Sequence, residues 1–71
     1  MSKFLILIER TDTGYSAHSP DVPGCVATGT TLPDVKAHIQ EAIAFHIEGL
    51  REAGLEIPTS SSTPDFVEVP G

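Results

Sequence analysis

Cys25 and His18 are the first pair to weigh as chemistry. They stand seven residues apart, on either side of the proline-rich corner Pro20-Asp21-Val22-Pro23-Gly24. On adjacent strands a thiol and an imidazole can meet as nucleophile and general base. No third group to orient such a base is evident, and a lone cysteine is commonly a small buried hydrophobe. Asp12, Asp21 and Asp34 offer a second chemistry, since clustered carboxylates hold the metal ions of two-metal nucleases. Each also has a local use, as turn, corner and helix-cap residue. The apolar run Phe4 to Ile8 contains no acid. His38 and His46 lie eight residues apart, which on a helix does not give the i, i+4 ligand pair. The expectation is no catalytic residue, no metal ligand and no cofactor.

The elements that would position these groups follow from apolar spacing. Lys3 to Glu9 reads as a strand whose unbroken apolar run asks for cover on both faces, which predicts a central place in a sheet. Phe4, Ile6 and Ile8 share one face, Leu5 and Leu7 the other. Arg10 to Gly14 reads as a turn, making a hairpin with the alternating strand Tyr15 to Ser19. Pro20 ends that strand. The corner follows, with Gly24 free to take backbone angles that other residues avoid, and Cys25 to Thr28 forms a third strand.

Thr31 is a good N-cap, with Asp34 three residues on and Pro33 in the first turn. A helix is expected from Leu32 to Ala53, with Gly54 as its left-handed terminator. At ~100° per residue, Leu32, Val35, Ile39, Ile43, His46 and Leu50 form one apolar stripe. His46 on that stripe reads as a core histidine hydrogen-bonded to a neighbour, or as a pH-sensitive contact at an interface. Phe45 falls well off it and is an exposed aromatic or a contact residue. Leu55 to Pro58 returns the chain to the sheet. Thr59 to Thr63 reads as a flexible polar linker, and Phe66 to Val69 as a fourth strand ended by Pro70. A right-handed crossover would set it parallel to the first strand.

Residues 1–71 make a single small domain, carrying ten acidic and four basic residues for a net charge of −6. That balance speaks against direct binding to nucleic acid, which needs a basic footprint. It suits a basic partner, or plain solubility. One cysteine excludes an internal disulfide. A chain of this size buries only about 60% of its unfolded surface, so assembly into a homodimer or higher oligomer is the expected source of extra stability. The apolar run Phe4 to Ile8 is too short for a signal peptide or a membrane span. The expected location is cytoplasmic.

At this level the chain resembles the HicB-like antitoxins of type II toxin–antitoxin systems. The resemblance rests on Tyr15-x-Ala17, Pro20-Asp21-Val22-Pro23-Gly24-Cys25, Gly29-x-Thr31-Leu32, Glu41-Ala42-Ile43 and Leu50-x-x-x-Gly54-x-x-Ile57-Pro58. It implies an α+β domain in the order β-β-β-α-β, a partial RNase H-like fold with a mostly antiparallel sheet and one helix across a face. In that frame Tyr15, Pro20, Asp21, Pro23, Gly24, Cys25, Thr31, Gly54 and Pro58 are structural residues. It also implies a partner, a small basic HicA toxin that cleaves mRNA. Many family members carry a C-terminal DNA-binding domain, and neither a helix-turn-helix nor a ribbon-helix-helix pattern occurs within these residues.

One helix covers one face of a sheet. The contacts to a partner or second subunit are therefore expected at Phe45, Leu5, Leu7 and His46. The leading reading is an antitoxin that covers the RNA-binding surface of a basic ribonuclease, without catalysis. An oligomeric scaffold or regulator with no toxin stays open beside it. So do an enzyme built on Cys25 and His18, and a degenerate nuclease built on the aspartates.

Overall fold

The computed structural model describes residues 2–71. Three antiparallel strands are followed by one helix: β1 (Leu7–Thr11), β2 (Gly14–Ser19), β3 (Val22–Gly29) and α1 (Leu32–Glu52). The fold is α+β, as expected. The sheet order is β1-β2-β3, so β2 is the central strand and β1 an edge. That corrects the central place expected for the first strand. The ladder starts later than Lys3 and runs past Glu9, because Leu7 pairs with His18 and Thr11 with Gly14. Only Asp12 and Thr13 are left for the hairpin turn.

The corner also folds differently from its expectation. Pro20 and Asp21 alone form the β2–β3 turn, and Val22 already pairs with Ser19. The next pair is His18 with Val26, so Pro23, Gly24 and Cys25 bulge out of β3. A bulge tolerates the proline that a ladder would exclude. Gly24 sits there at φ +87°, in the region that other residues avoid. The bend turns both Val22 and Cys25 inward, at 1% and 6% exposure.

The helix is bounded as its sequence requires. Thr31 is extended, and its side chain accepts a hydrogen bond from the Asp34 amide at 3.2 Å. Thr30 donates to the Asp34 carboxylate at 3.1 Å. The last turn closes at Ala53, and Gly54 follows at φ +71°. Val35, Ile39 and Ile43 are buried against Ala17, Val22 and Cys25, with Phe4, Ile6, Ile8, Tyr15, Ala27 and Ile47 packed around them. α1 lies over β3 and β2 rather than over β1. Small side chains bring it close. A Cβ on Gly29 would stand 2.5 Å from the backbone nitrogen of Val35.

Beyond Gly54 no further strand forms. Phe66, Val67 and Val69 are 95%, 86% and 79% exposed and take part in no ladder. This corrects the expected fourth strand: the segment has strand composition, but no edge lies beside it. The linker is not loose either. Ser61 Oγ donates to Asp21 at 3.0 Å, Ser62 Oγ at 2.8 Å and the Ser62 amide at 3.1 Å. A carboxylate that accepts three hydrogen bonds favours its charged form.

The Ile39 side chain is 1% exposed, and Ile39→Ala should cost about 2–5 kcal/mol through the cavity it leaves. Thr31→Ala should cost about 1 kcal/mol through the lost cap. Urea denaturation followed by helix circular dichroism measures both. The tail contact should be pH-dependent. Hydrogen bonds from Ser62, led by its side chain, and then from Ser61 hold Asp21 below its ordinary 3.8, against a smaller opposing effect of desolvation. A depressed carboxyl stabilises the fold above the unfolded value, and that contribution fades as pH falls through the folded one. The Ser62 amide resonance should therefore be steady above pH 3.8 and move below it. Asp21→Ala should abolish the inflection.

Candidate partner-binding surface

The residues singled out as chemistry are not brought together. Cys25 packs in the core with its Sγ 3.9 Å from the Ala42 carbonyl. Burial pushes its thiol up from the ordinary value, the opposite of what a thiolate nucleophile needs. His18 is exposed and pairs with Val26, on the face of the sheet away from the helix. Cross-strand partners share a face and neighbours alternate, so Cys25 and His18 point to opposite sides. This corrects the pairing considered for them.

The aspartates are separated as well. Asp12 occupies the β1–β2 turn and Asp21 the β2–β3 turn, at opposite ends of strands about 20 Å long. Asp34 is bound up in the helix cap. Among the described residues, no group of three or more His, Cys, Asp or Glu side chains is placed to hold a metal ion. The described helix is not long and apolar enough to cross a membrane.

His46 leaves the core, which corrects the reading of it as a core histidine. α1 has 21 residues and so spans about 32 Å, longer than the six-residue β2 beneath it at about 20 Å. At that level of the helix Ile47 takes the inward place against the core, and His46 beside it stands at the β3 bulge and meets the solvent. His46 is exposed beside Phe45, which is 81% exposed. Together with Gly24, Val26, Ala42 and Leu50 they border a hollow of about 400 Å³ between the helix and the β3 bulge. Val26 is 64% exposed because it stands on the face of the sheet that the helix leaves bare, and alternation alone does not reveal which face of a strand is covered.

Leu7 lies elsewhere. Its register with His18, and that of His18 with Val26, sets Leu7, His18 and Val26 in one row across the uncovered face. Leu7 is 44% exposed, and Leu5, half-buried, precedes it. Val26 thus links the two patches. Along the helix, exposed Glu41, Glu48 and Glu52 share the side of Phe45 by the i, i+4 and i, i+7 spacing. The outcome is an aromatic side chain at the margin of an acidic strip. One further contact escaped the sequence reading: His38 Nδ1 lies 2.6 Å from the Thr28 carbonyl. It occupies an acceptor on the free edge of β3, a position where native proteins commonly block stray strand pairing.

A buried, desolvated thiol should react slowly. Under native conditions a thiol reagent should label Cys25 only as fast as the fold opens, and in denaturant at the rate of a free cysteine. Fast native labelling would point to an accessible thiolate.

A family model described as the HicB-like antitoxin of bacterial toxin–antitoxin systems matches residues 4–71. An uncharacterised 14.9 kDa protein of Haemophilus phage HP1, from its rep–hol intergenic region, is 42% identical over 65 residues, covering 92% of this chain and 49% of that protein. Antitoxin HicB 2 of Photorhabdus laumondii is 32% identical over 69 residues, covering 96% and 50%. The chain therefore spans about half the length of these curated relatives. Two solved structures superpose well, each 34% identical and covering 86% of this chain. One is a HicA3 and HicB3 toxin–antitoxin complex, with a TM-score of 0.74 and 71% of the matched chain covered. The other is the antitoxin HicB3, with a TM-score of 0.72 and 45% covered. The chain belongs to the HicB-like antitoxins of bacterial toxin–antitoxin systems.

Proposed function

We propose that this chain binds a small basic HicA-type toxin in the cytoplasm and neutralises it by covering its RNA-binding surface, with no catalysis of its own and no direct contact to nucleic acid. The observation that carries the reading is Phe45, 81% exposed, beside exposed Glu41, Glu48 and Glu52. Interfaces concentrate their energy in an aromatic anchor with a rim that excludes water. Charge complementarity sets the rate of encounter and the choice of partner. A strip of carboxylates around one aromatic ring suits a positively charged partner with an apolar recess. His46, Val26 and Leu50 line the hollow beside the anchor and would complete the contact.

The similarity to a chain in a HicA3–HicB3 complex supports the class of partner. The net charge of −6 supports its sign, since like charges across an interface repel.

The test is co-expression with a HicA-type toxin. The wild-type chain should restore growth. Phe45→Ala should weaken toxin binding by at least about 30-fold, the size expected of an anchor worth 2 kcal/mol or more, with helix content unchanged. Changing Glu41, Glu48 and Glu52 together to Gln should slow association and flatten its salt dependence. Full rescue by Phe45→Asp would move the toxin contact to another surface. Failure of the wild-type chain to bind or rescue would remove the antitoxin reading.

A further inference from the structure

The flank of α1 on the β1 side is open. Phe4 and Ile6, just before β1, face Ile39, Ile43 and Ile47 of the helix across a groove of about 1250 Å³, with Ile57 on its wall. Beside it runs the outer edge of β1, which no strand among the described residues pairs. The last part of the chain has the complementary character. Phe66, Val67 and Val69 are 95%, 86% and 79% exposed, alternating with Glu68 as a strand would. Nothing beyond Pro58 lines the groove.

We propose that the groove and the β1 edge receive residues 64–69 of a second copy of this chain, so that two chains exchange arms about a two-fold axis. A closed, reciprocal exchange of this kind satisfies both copies at once.

Three observations favour a second copy as the occupant. First, the arm is held out by its root. Ser61 and Ser62 are fixed on Asp21 at the β2–β3 turn, while the groove beside the same chain's helix stays open. An anchored root with an extended, exposed arm is the shape that exchange requires. Second, the groove offers cations to the arm's carboxylates. Of the chain's four basic residues, Lys36 and Arg51 line the groove. The arm carries Asp65 and Glu68 around its apolar residues, and pairing these with Lys36 and Arg51 would offset the repulsion from Glu48 and Glu52, which also line the groove. Third, both faces of an added strand would find apolar neighbours. Phe4 and Ile6 face the helix, Leu5 and Leu7 face away. Phe66 and Val67 fall on opposite faces of the arm by the two-residue period. One strand would therefore cover the groove and part of the exposed sheet face together. The buried core of each chain is only Ala17, Val22, Cys25, Val35, Ile39 and Ile43, and chains this small gain much from added burial.

This inference needs no toxin and stands apart from the antitoxin reading. Light scattering on the full chain should give twice the 7.5 kDa of one copy. In an equal mixture of isotope-labelled and unlabelled chains, isotope-filtered NOEs should join Val67 and Val69 methyls of one copy to Phe4 and Ile6 of the other. The double variant Phe66→Asp, Val67→Asp should run at the mass of one copy with its helix signal kept. Should that variant fail to fold, the filtered NOEs on the wild-type chain decide the question. A wild-type monomer would overturn the proposal. So would a dimer whose mass the variant leaves unchanged, or contacts from the arm to Phe4 and Ile6 confined to a single chain.

Discussion

The close approach of α1 to β2 and β3 is the constraint on which the rest of the molecule depends. Ala17, Cys25, Ala27 and Gly29 give the sheet a low surface where the helix crosses. Val35, Ile39 and Ile43 descend onto it and are 0%, 1% and 8% exposed. At Gly29 the backbones meet so closely that a methyl group would collide with Val35. The approach has a cost elsewhere. A helix seated over β3 and β2 leaves its other flank standing clear of β1. The open groove beside Phe4 and Ile6 and the exposed rim at Phe45 are both consequences of that one placement.

The corner and the tail are joined by a single carboxylate. Asp21 is a turn residue by type and position, yet its oxygens hold Ser61 and Ser62 from forty residues further along. Thr59 to Thr63 has the composition of a linker. It becomes fixed because hydroxyl groups and a free amide meet an acceptor that the turn projects toward them. Composition registers polarity and flexibility, but not the arrival of a distant partner. The same limit explains Val22. Within Pro20 to Gly24 it looked like a corner residue, and the bulge makes it one of the most buried side chains in the protein.

The chemistry that the sequence offered dissolves for geometric reasons. Cys25 and His18 stand close along the chain, but the bulge turns the thiol into the core while the ladder keeps the imidazole outside. The aspartates sit at turns, and in an antiparallel meander successive turns lie at opposite ends of the sheet. What remains on the surface is recognition rather than reaction: an aromatic ring at the edge of an acidic strip, and a row of Leu7, His18 and Val26 across the bare face.

By itself the sequence determined the local structure. The helix follows from Thr31, Asp34 and Pro33 at one end, Gly54 at the other and an apolar stripe between, because caps and periodicity act within a few residues. The hairpin, the inward and outward faces of Phe4 to Ile8, the exposure of Phe45 and the family likeness are legible for the same reason. Tertiary structure decided what no local signal carries. It set which strand is central, where β3 begins, that His46 faces solvent beside the β3 bulge and that Phe66 to Val69 pairs with no edge of its own chain. Each of these depends on relative lengths and positions of elements far apart in the chain. A strand's composition states that it can pair, and only the assembled sheet supplies an edge for it to pair with.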